Sequence, residues 1–227
     1  AKDAPVGIEG VFPRTLFYIG SMPIKDSVFY TWVIILGLVA ASVVGYRRYR
    51  AVNPPGWQVA IEFAMDYVDS LVTDAVGKTL PQTVPYLTAM LVYIAVCNLM
   101  GLVPLMRSPT RDINTTAALS IISFLSTEFY GAQHRGIKAQ LLSHFEPMVL
   151  LFPLNLIGSL SRILSMALRL FGNVIAGEIV GATIFMLVPV LAPLPLNLLG
   201  MITGVLQALV FTVLTISFIG DAMRLDD

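Results

Sequence analysis

The sequence predicts an all-α membrane protein with about five membrane helices and one amphipathic surface helix. Of its 227 residues, 56% are hydrophobic and only 12% are charged, and the mean hydropathy is +0.81. A soluble domain cannot bury that much apolar surface. In addition, several apolar runs approach the ~20 residues that a helix needs to cross ~30 Å of hydrocarbon.

Charge and cysteine content exclude other classes of protein. The 14 Lys and Arg residues balance the 14 Asp and Glu residues, so no net charge points to nucleic acid or to an acidic substrate. The single cysteine, Cys97, excludes an internal disulfide framework. The N-terminal sequence AKDAPVGIEG has neither a signal-peptide nor a transit-peptide pattern, so we expect internal spans to direct membrane insertion.

The first membrane helix is predicted over residues 28–45. The cationic segment YRRYR follows it, with three arginines close to the end of the span. Because positively charged segments beside a span stay in the cytoplasm, we expect this end inside and the tail of residues 1–27 outside. Residues 28–227 are then expected to form a single membrane domain.

Residues 56–78, which follow Pro54 and Pro55, have the pattern of an amphipathic helix. Apolar side chains recur there with helical spacing and leave one polar face. The carboxylates of that face are Glu62, Asp66, Asp69 and Asp74. The pattern predicts a helix that lies on the membrane surface rather than a further span.

Two more spans are predicted over residues 84–106 and 113–131, joined by the short polar loop RSPTRD. The third span leads into the segment AQHRGIK, so that Arg135 and Lys138 return the chain to the cytoplasm. Lys and Arg residues are only slightly more numerous inside than outside in this topology. The YRRYR segment is therefore the main argument for it.

The longest apolar run covers residues 148–187. As one helix it would be ~60 Å long, about twice the thickness of the hydrocarbon. It is therefore either two spans with a bend near Gly172 or one steeply tilted helix. A segment with prolines at positions 189, 193 and 195 then reverses the chain into a last apolar helix over residues 197–223.

Ionisable side chains inside the longest run indicate function, because an Arg at the centre of a span costs ~2.5–3.5 kcal/mol on insertion scales. Arg162 and Arg169 lie nearly two helical turns apart on one face, and Asn173 follows Arg169 by about one turn. Glu178 is about half a turn round from Arg169, so an internal ion pair between them is not expected. Arg162 has an alternative explanation, since its long side chain could snorkel to the cytoplasmic interface.

Small residues also cluster in this run, at Gly172, Ala176, Gly177 and Gly181. They would let another helix approach closely. That helix could belong to a partner or to this chain.

Three segments carry a resemblance to a known family. LRLFGNVIAGE, residues 168–178, resembles the signature of subunit a of F-type ATP synthases. PTRDINTTAALS, residues 109–120, is similar to the start of the span before the family's hairpin, and GVLQALVFTVLTISFIG, residues 204–220, is similar to its final helix. The resemblance covers the chain from about residue 29 onward.

The resemblance implies that residues 148–224 form a long tilted hairpin packed on a rotating ring of c subunits. Arg169 matches the family's essential arginine, which separates two aqueous half-channels and couples ion flow to ring rotation and ATP synthesis. Glu178 matches the acid of one half-channel. Gln207 matches a glutamine that faces the arginine, and we expect its amide oxygen to accept a hydrogen bond from Arg169. Some members carry a histidine where this chain has Gly200, which puts in doubt any relay that needs an imidazole.

For the outer half-channel the resemblance suggests Glu178, with Asp112 and Asn114 at the mouth of the third span. Asp112 is also well suited to cap the N-terminus of that helix. Asn114 could equally be a buried amide that serves packing. Glu128, near the cytoplasmic end, could be a snorkelling side chain.

Two other classes of protein are less well supported. A secondary transporter with its own substrate pocket usually has internal repeats, and none is visible in the sequence. An intramembrane enzyme needs a nucleophile and a base inside the spans, whereas His134 and His144 both fall in a polar loop and lack metal-ligand spacing. We therefore expect a non-catalytic subunit with no cofactor and no metal site.

The expected partners are the c-subunit ring, b-type subunits of the peripheral stalk, membrane lipid and a transported H⁺ or Na⁺, with no nucleic acid. The expected location is the bacterial plasma (inner) membrane, crossed several times. A thylakoid membrane is the alternative.

Overall fold

The structure is a computed structural model that describes residues 15–19, 22–49, 55–101, 106, 108–136, 152–187 and 193–224. Within these residues the chain forms six α-helices, a short 3-10 helix and a two-stranded ribbon. In chain order the elements are β1 (Thr15–Ile19), β2 (Met22–Lys25), α1 (Asp26–Arg47), α2 (Gly56–Val76), α3 (Val84–Met100), the 3-10 helix (Pro109–Arg111), α4 (Ile113–Arg135), α5 (Phe152–Leu187) and α6 (Pro193–Arg224).

Among the described residues, three helices are long and apolar enough to cross a membrane: α1, the stretch Pro153–Ile184 of α5 and the stretch Pro195–Met223 of α6. Helix α3 is apolar but has 17 residues, slightly fewer than the ~20 of a perpendicular span. Helix α4 has 23 residues and is less apolar, because Ser and Thr line one of its faces. The prediction of an all-α membrane protein is confirmed, with the β1–β2 ribbon as an addition that the sequence did not predict.

Helix α5 decides between the two interpretations of the longest apolar run. It is one helix of 36 residues that continues through Gly172, and at 1.5 Å per residue it is ~54 Å long. The alternative of two spans with a bend near Gly172 is therefore wrong, because the described run is a single helix. A helix of this length fits ~30 Å of hydrocarbon only if it is steeply tilted.

Helix α6 is the centre of the bundle and packs against α2, α3, α4 and α5. Two clusters of buried side chains hold it. The first joins α3, α4, α5 and α6 through Met90, Ile94, Leu119, Met166, Leu170, Ala208 and Phe211. The second joins α2, α3 and α6 through Val68, Val72, Val84, Leu87, Ile216 and Ile219. One side of α6 is thus fixed by the core, and the other side is left exposed.

The β1–β2 ribbon leads directly into α1. The two strands are antiparallel, and β2 ends at Lys25, one residue before α1 begins. This places Lys25, Asp26 and Ser27 against the 3-10 helix and the start of α4. We call this part of the molecule the 3-10 end.

Candidate functional site

Arg169 lies on the exposed side of α5. Its neighbour Leu168 is 46% exposed, whereas Leu170, on the opposite side of the helix, is fully buried in the core. Within the described part of the chain, Arg169 is exposed and has no hydrogen-bond or ion-pair partner. The guanidinium is therefore presented to the surroundings of this chain.

The surface around Arg169 is apolar and belongs to both long helices. Large hydrophobic side chains recur along it every three or four residues, as expected for one face of a helix. On α5 they are Leu154, Ile157, Leu160, Leu164 and Leu168, and on α6 they are Leu198, Leu199, Met201, Ile202, Val205, Leu206 and Val210. We call this the α5–α6 face.

Helices α5 and α6 pack side by side and run antiparallel. The amide nitrogen of Asn173 lies 3.5 Å from the carbonyl oxygen of Thr203. Gln207 follows Thr203 by four residues and Arg169 precedes Asn173 by four, so Arg169 and Gln207 lie at the same level of the pair. The predicted pairing of the two helices is thus present.

The predicted hydrogen bond between Arg169 and Gln207 is not present among the described residues. The Nε2 atom of Gln207 is buried and has no hydrogen-bond partner there. Arg169 is exposed, whereas Gln207 is half-buried and its Nε2 atom is fully buried. The two side chains thus lie at the same level of the pair but differ in exposure.

Arg111 is the centre of a second group of charges, at the 3-10 end. It is only 2% exposed, and its Nη2 atom donates a hydrogen bond of 2.7 Å to Oδ2 of Asp26. Its Nη1 atom lies 3.9 Å from Oε2 of Glu178 on α5. One buried guanidinium therefore faces two carboxylates from two different helices.

Asp112, the next residue, caps helix α4 as the sequence suggested. Its Oδ1 atom accepts hydrogen bonds from the backbone and side-chain amides of Asn114, each at 3.0 Å. Its Oδ2 atom accepts from the hydroxyl of Ser27 at 2.8 Å and lies 3.4 Å from Nζ of Lys25. Burial alone would raise the pKa of Asp112, but these hydrogen bonds and the nearby ammonium outweigh it and lower the pKa below its ordinary value.

Asn114 is exposed, so it is not the buried packing amide that was considered as an alternative. Arg162 stacks over the ring of Phe218 on α6, with Cζ 3.9 Å from the ring centroid. This contact gives Arg162 a partner within its own chain. Arg162 thus has a contact within its own chain, whereas Arg169 has no partner among the described residues.

A cleft of about 380 Å³ lies between α3, α5 and α6 on the side of the 3-10 end. Its polar lining comes from Asn98, Asn173, Glu178, Asn197 and Thr203. The backbone at Gly200 also lines it, so the missing side chain at that position leaves open space. Asparagine and carboxylate side chains beside such a space can hold water or bind a proton or a small cation.

The structure thus divides the six predicted site residues into two groups. Glu178, Asn173, Asp112 and Asn114 lie at or beside the cleft and the 3-10 end. Arg169 and Gln207 lie further along the hairpin, and nine residues of α5 separate Arg169 from Glu178, or ~13 Å. No described contact joins the two groups directly.

Asp26 and Arg111 were not identified as site residues from the sequence. Arg111 was counted only as a positive charge of the loop RSPTRD, and Asp26 was assigned to the tail. One signal was available: Arg111 directly precedes the capping residue Asp112, so its side chain has to lie at the mouth of the third span. Its pairing with a residue 85 positions earlier could not be seen from local pattern.

Small residues on α5 do not serve packing within the described chain. A Cβ atom added at Gly172, Gly177 or Gly181 would meet no described atom within 4 Å. By contrast, a Cβ atom at Gly204 on α6 would lie 3.2 Å from Cβ of Asn98 on α3. Gly204 thus allows close contact inside the bundle, whereas Gly177 and Gly181 border the cleft and Gly172 leaves room for a neighbouring helix.

Comparison with known sequences adds independent information. The family model described as ATP synthase A chain matches residues 28–220. The chain is 34% identical over 211 residues to ATP synthase subunit a of Moorella thermoacetica, covering 93% of this chain and 96% of that protein. It is 37% identical over 204 residues to ATP synthase subunit a of Citrifermentans bemidjiense and 32% identical over 204 residues to ATP synthase subunit a 1 of Crocosphaera subtropica. These two matches cover 88% and 89% of this chain and 88% of each relative.

Proposed function

This chain belongs to the ATP synthase A chain family, and we propose that it forms the fixed half of an ion-driven rotary motor, facing a ring of c subunits. Members of this family are non-catalytic membrane subunits of the F-type ATP synthase, so the chain itself forms and breaks no bond. Its function is then to control where ions enter and leave the ring.

One observation carries the proposal: Arg169 is exposed in the middle of the apolar α5–α6 face and has no partner among the described residues. An unpaired charge facing hydrocarbon costs several kcal/mol. The free energy of the folded chain is therefore lowered if another molecule brings an acidic group to this face. A ring of c subunits, each with one carboxylate at membrane depth, supplies such groups in turn.

The chemistry of the guanidinium explains how ion flow becomes rotation. A ring carboxylate must be protonated, or occupied by a cation, while it faces lipid, because a bare charge there is expensive. Beside Arg169 it can ionise, since a nearby positive charge favours the charged form. Arg169 is always charged and cannot itself carry a proton. It therefore separates two aqueous half-channels, and an ion can pass only by travelling round with the ring.

The cleft at the 3-10 end is the outer half-channel in this proposal. Glu178 and Asn173 line it, and Asp112 and Asn114 lie at the start of α4, at the 3-10 end. Gln207 lies at the level of Arg169 and can bond to the guanidinium or to a ring carboxylate when the ring is in place. The membrane potential supplies ~2.3 kcal/mol per charge per 100 mV, so several ions must pass for each ATP formed.

The remaining partners and the location follow from the same proposal. The α5–α6 face takes the c ring, and b-type subunits of a peripheral stalk hold the chain against rotation. The tail of residues 1–27 lies outside the cytoplasm and residues 28–227 form the membrane domain, in a bacterial inner membrane. Proton and sodium transport both fit the cleft.

The test is ATP-driven ion uptake by complexes reconstituted in sealed vesicles, followed with a proton-sensitive dye and, in parallel, with radioactive sodium. Arg169→Ala should reduce uptake roughly 10- to 1,000-fold, because an opposite charge nearby shifts the pKa of a carboxylate by about one to three units. Arg162→Ala is the matched control on the same helix and should retain most of the uptake, since Arg162 stacks on Phe218. Normal uptake by assembled Arg169→Ala complexes would overturn the proposal.

A further inference from the structure

We infer that Arg111, held in place by Asp26, is a positioning residue that orients Glu178 toward the cleft between α5 and α6. The inference rests on the proposed function, because it assigns a task to residues beside the proposed outer half-channel. It gives a role to Arg111 and to Asp26, the first residue of α1, neither of which was assigned a role from the sequence.

The Arg111 guanidinium links two carboxylates. Its two terminal nitrogens face different carboxylates: Nη2 donates to Asp26 at 2.7 Å, and Nη1 lies 3.9 Å from Glu178. A guanidinium is planar and presents its donors in a fixed fork, so the position of one nitrogen fixes that of the other. Asp26 therefore determines which way Nη1 points, and Nη1 determines where the Glu178 carboxylate is attracted.

Arg111 lies much closer to Asp26 than to Glu178. At 2.7 Å the contact with Asp26 is a short charge-assisted hydrogen bond. At 3.9 Å the contact with Glu178 is an attraction without a hydrogen bond. Glu178 is also 25% exposed, whereas Asp26 and Arg111 are almost fully buried. Arg111 is thus held firmly by Asp26 and attracts Glu178 over a longer distance, while part of the Glu178 side chain remains accessible.

The 3-10 helix that carries Arg111 is fixed to the wall of the same cleft. The hydroxyl of Thr110 donates to Oδ1 of Asn98 at 2.9 Å, and Nδ2 of Asn98 donates to the carbonyl of Gly204 at 2.9 Å. The hydroxyl of Ser108 donates to the carbonyl of Cys97 at 2.8 Å. These buried hydrogen bonds join the 3-10 helix to α3 and α6, so the position of Arg111 is set relative to the cleft itself.

The described contact of Glu178 with a cation is the one with Arg111. From α3 and α6 the polar lining is uncharged: Asn98, Asn197 and Thr203. The other charged groups described at the 3-10 end are Asp26, which pairs with Arg111, and Lys25, which pairs with Asp112.

The test is a double-mutant cycle on ATP-driven ion uptake by the whole complex in sealed vesicles, normalised to the amount of assembled subunit a. Arg111→Lys keeps the positive charge but replaces the forked guanidinium with a single ammonium, which can reach Asp26 or Glu178 but not both. We expect it to reduce uptake about tenfold, which is within the range of coupling between residues in contact. In a Glu178→Gln background the same change should have almost no further effect, since the group that it acts on is gone.

Asp26→Asn gives a second, independent arm, because it keeps the size of the side chain and weakens its hold on Arg111. It should lower uptake in the native background and, like Arg111→Lys, have little effect after Glu178→Gln. Reductions that multiply in both double variants would show that these residues act independently of Glu178 and would overturn the inference. The inference also fails if assembled Arg111→Lys and Asp26→Asn complexes both show unchanged uptake. Loss of uptake in Arg169→Ala complexes is measured separately, so a failure of this inference leaves the proposed function standing.

Discussion

Arg111 and Arg169 are two arginines of one membrane protein with opposite surroundings. Arg111 is buried at the 3-10 end between Asp26 and Glu178. Arg169 is exposed on the α5–α6 face and has no partner in the described part of the chain. The charge of Arg111 is paired within the fold, whereas the charge of Arg169 is available to another molecule.

The difference shows how burial and pairing separate a charge that the fold requires from one that only another molecule uses. Removing a buried, paired charge leaves its partner uncompensated, so the cost appears in the stability of the fold. Removing an exposed, unpaired charge takes nothing from the fold, so the cost appears only where a partner uses it. The predictions below test this separation, beginning with the largest expected effect.

The largest effect is expected for Arg111→Ala, which leaves the buried Asp26 carboxylate without its closest cation. Breaking a buried ion pair from one side costs ~3–5 kcal/mol. The amount of subunit a recovered with the complex should therefore fall sharply, whereas Arg169→Ala should leave it unchanged. Quantitative immunoblots of purified complexes measure both, and equal recovery of the two variants would remove the distinction between the two arginines.

A smaller effect on stability is expected for Gly204→Ala. The new methyl group would lie 3.2 Å from Cβ of Asn98 in the packed contact of α3 and α6, and overpacking of this kind costs ~1–3 kcal/mol. Gly172→Ala meets no described atom within 4 Å and should not lower the stability of the subunit. It should instead weaken retention of the c ring, if the ring packs on this part of α5.

The temperature at which each protein leaves the complex measures the two glycine effects. Subunit a should be lost early from Gly204→Ala complexes, and c subunits should be lost early from Gly172→Ala complexes. The reverse order would contradict the assignment of α5 as the face for the partner.

Glu178→Gln should slow ion uptake on the order of tenfold and leave assembly intact. It removes one ionisable group and keeps the volume of the side chain. This loss is smaller than the ~100-fold or larger loss expected when a general acid or base is removed, because water in the cleft can carry part of the ion flow. Uptake per assembled complex is the measurement, and loss of subunit a from the membrane would show instead that Glu178 is structural.

The smallest effect concerns Asp112, whose pKa is lowered from its ordinary value of 3.8 in the folded chain. Its contribution to stability is therefore fully present above that value and is lost as the pH falls through the lowered pKa. Asp112→Asn keeps an N-cap side chain and loses a pair with Lys25, which is 34% exposed, so it should cost at most ~1 kcal/mol at neutral pH. The dissociation temperatures of native and Asp112→Asn complexes should converge as the pH falls below 3.8 and through the lowered pKa of Asp112. A difference that grows on acidification would contradict the prediction.

Much of the fold could be predicted from the sequence because the membrane restricts the possibilities. Apolar runs of fixed length, broken by charges and prolines, gave α1, α4 and α6 with ends within a few residues of those observed. Helix α3 was predicted to residue 106 but ends at Met100, since a run of apolar residues does not show where a helix stops. The β1–β2 ribbon was missed because two strands of five and four residues have too little pattern to be recognised.

The site was predicted unevenly, and for a physical reason. A single charge in an apolar run is conspicuous, so Arg169 and Glu178 could be identified from the sequence alone. Arg111 and Asp26 belong to polar segments, where charges are common, and their importance comes from a contact across 85 positions. The register of α5 against α6 could be foreseen from resemblance, but the direction of the Gln207 amide depends on packing that the sequence does not show.

The most direct test of the central claim is a disulfide between the α5–α6 face and the c ring. Leu168→Cys, in a background with Cys97 replaced, would be paired with a cysteine placed beside the ring carboxylate. Leu36→Cys on α1 is the control, because Leu36 is also apolar and is 62% exposed. A disulfide requires Cα atoms within ~7 Å. We predict a crosslink from Leu168→Cys and none from Leu36→Cys; no crosslink from positions 164, 168 or 172 in complexes that still pump would contradict the claim that Arg169 faces the ring.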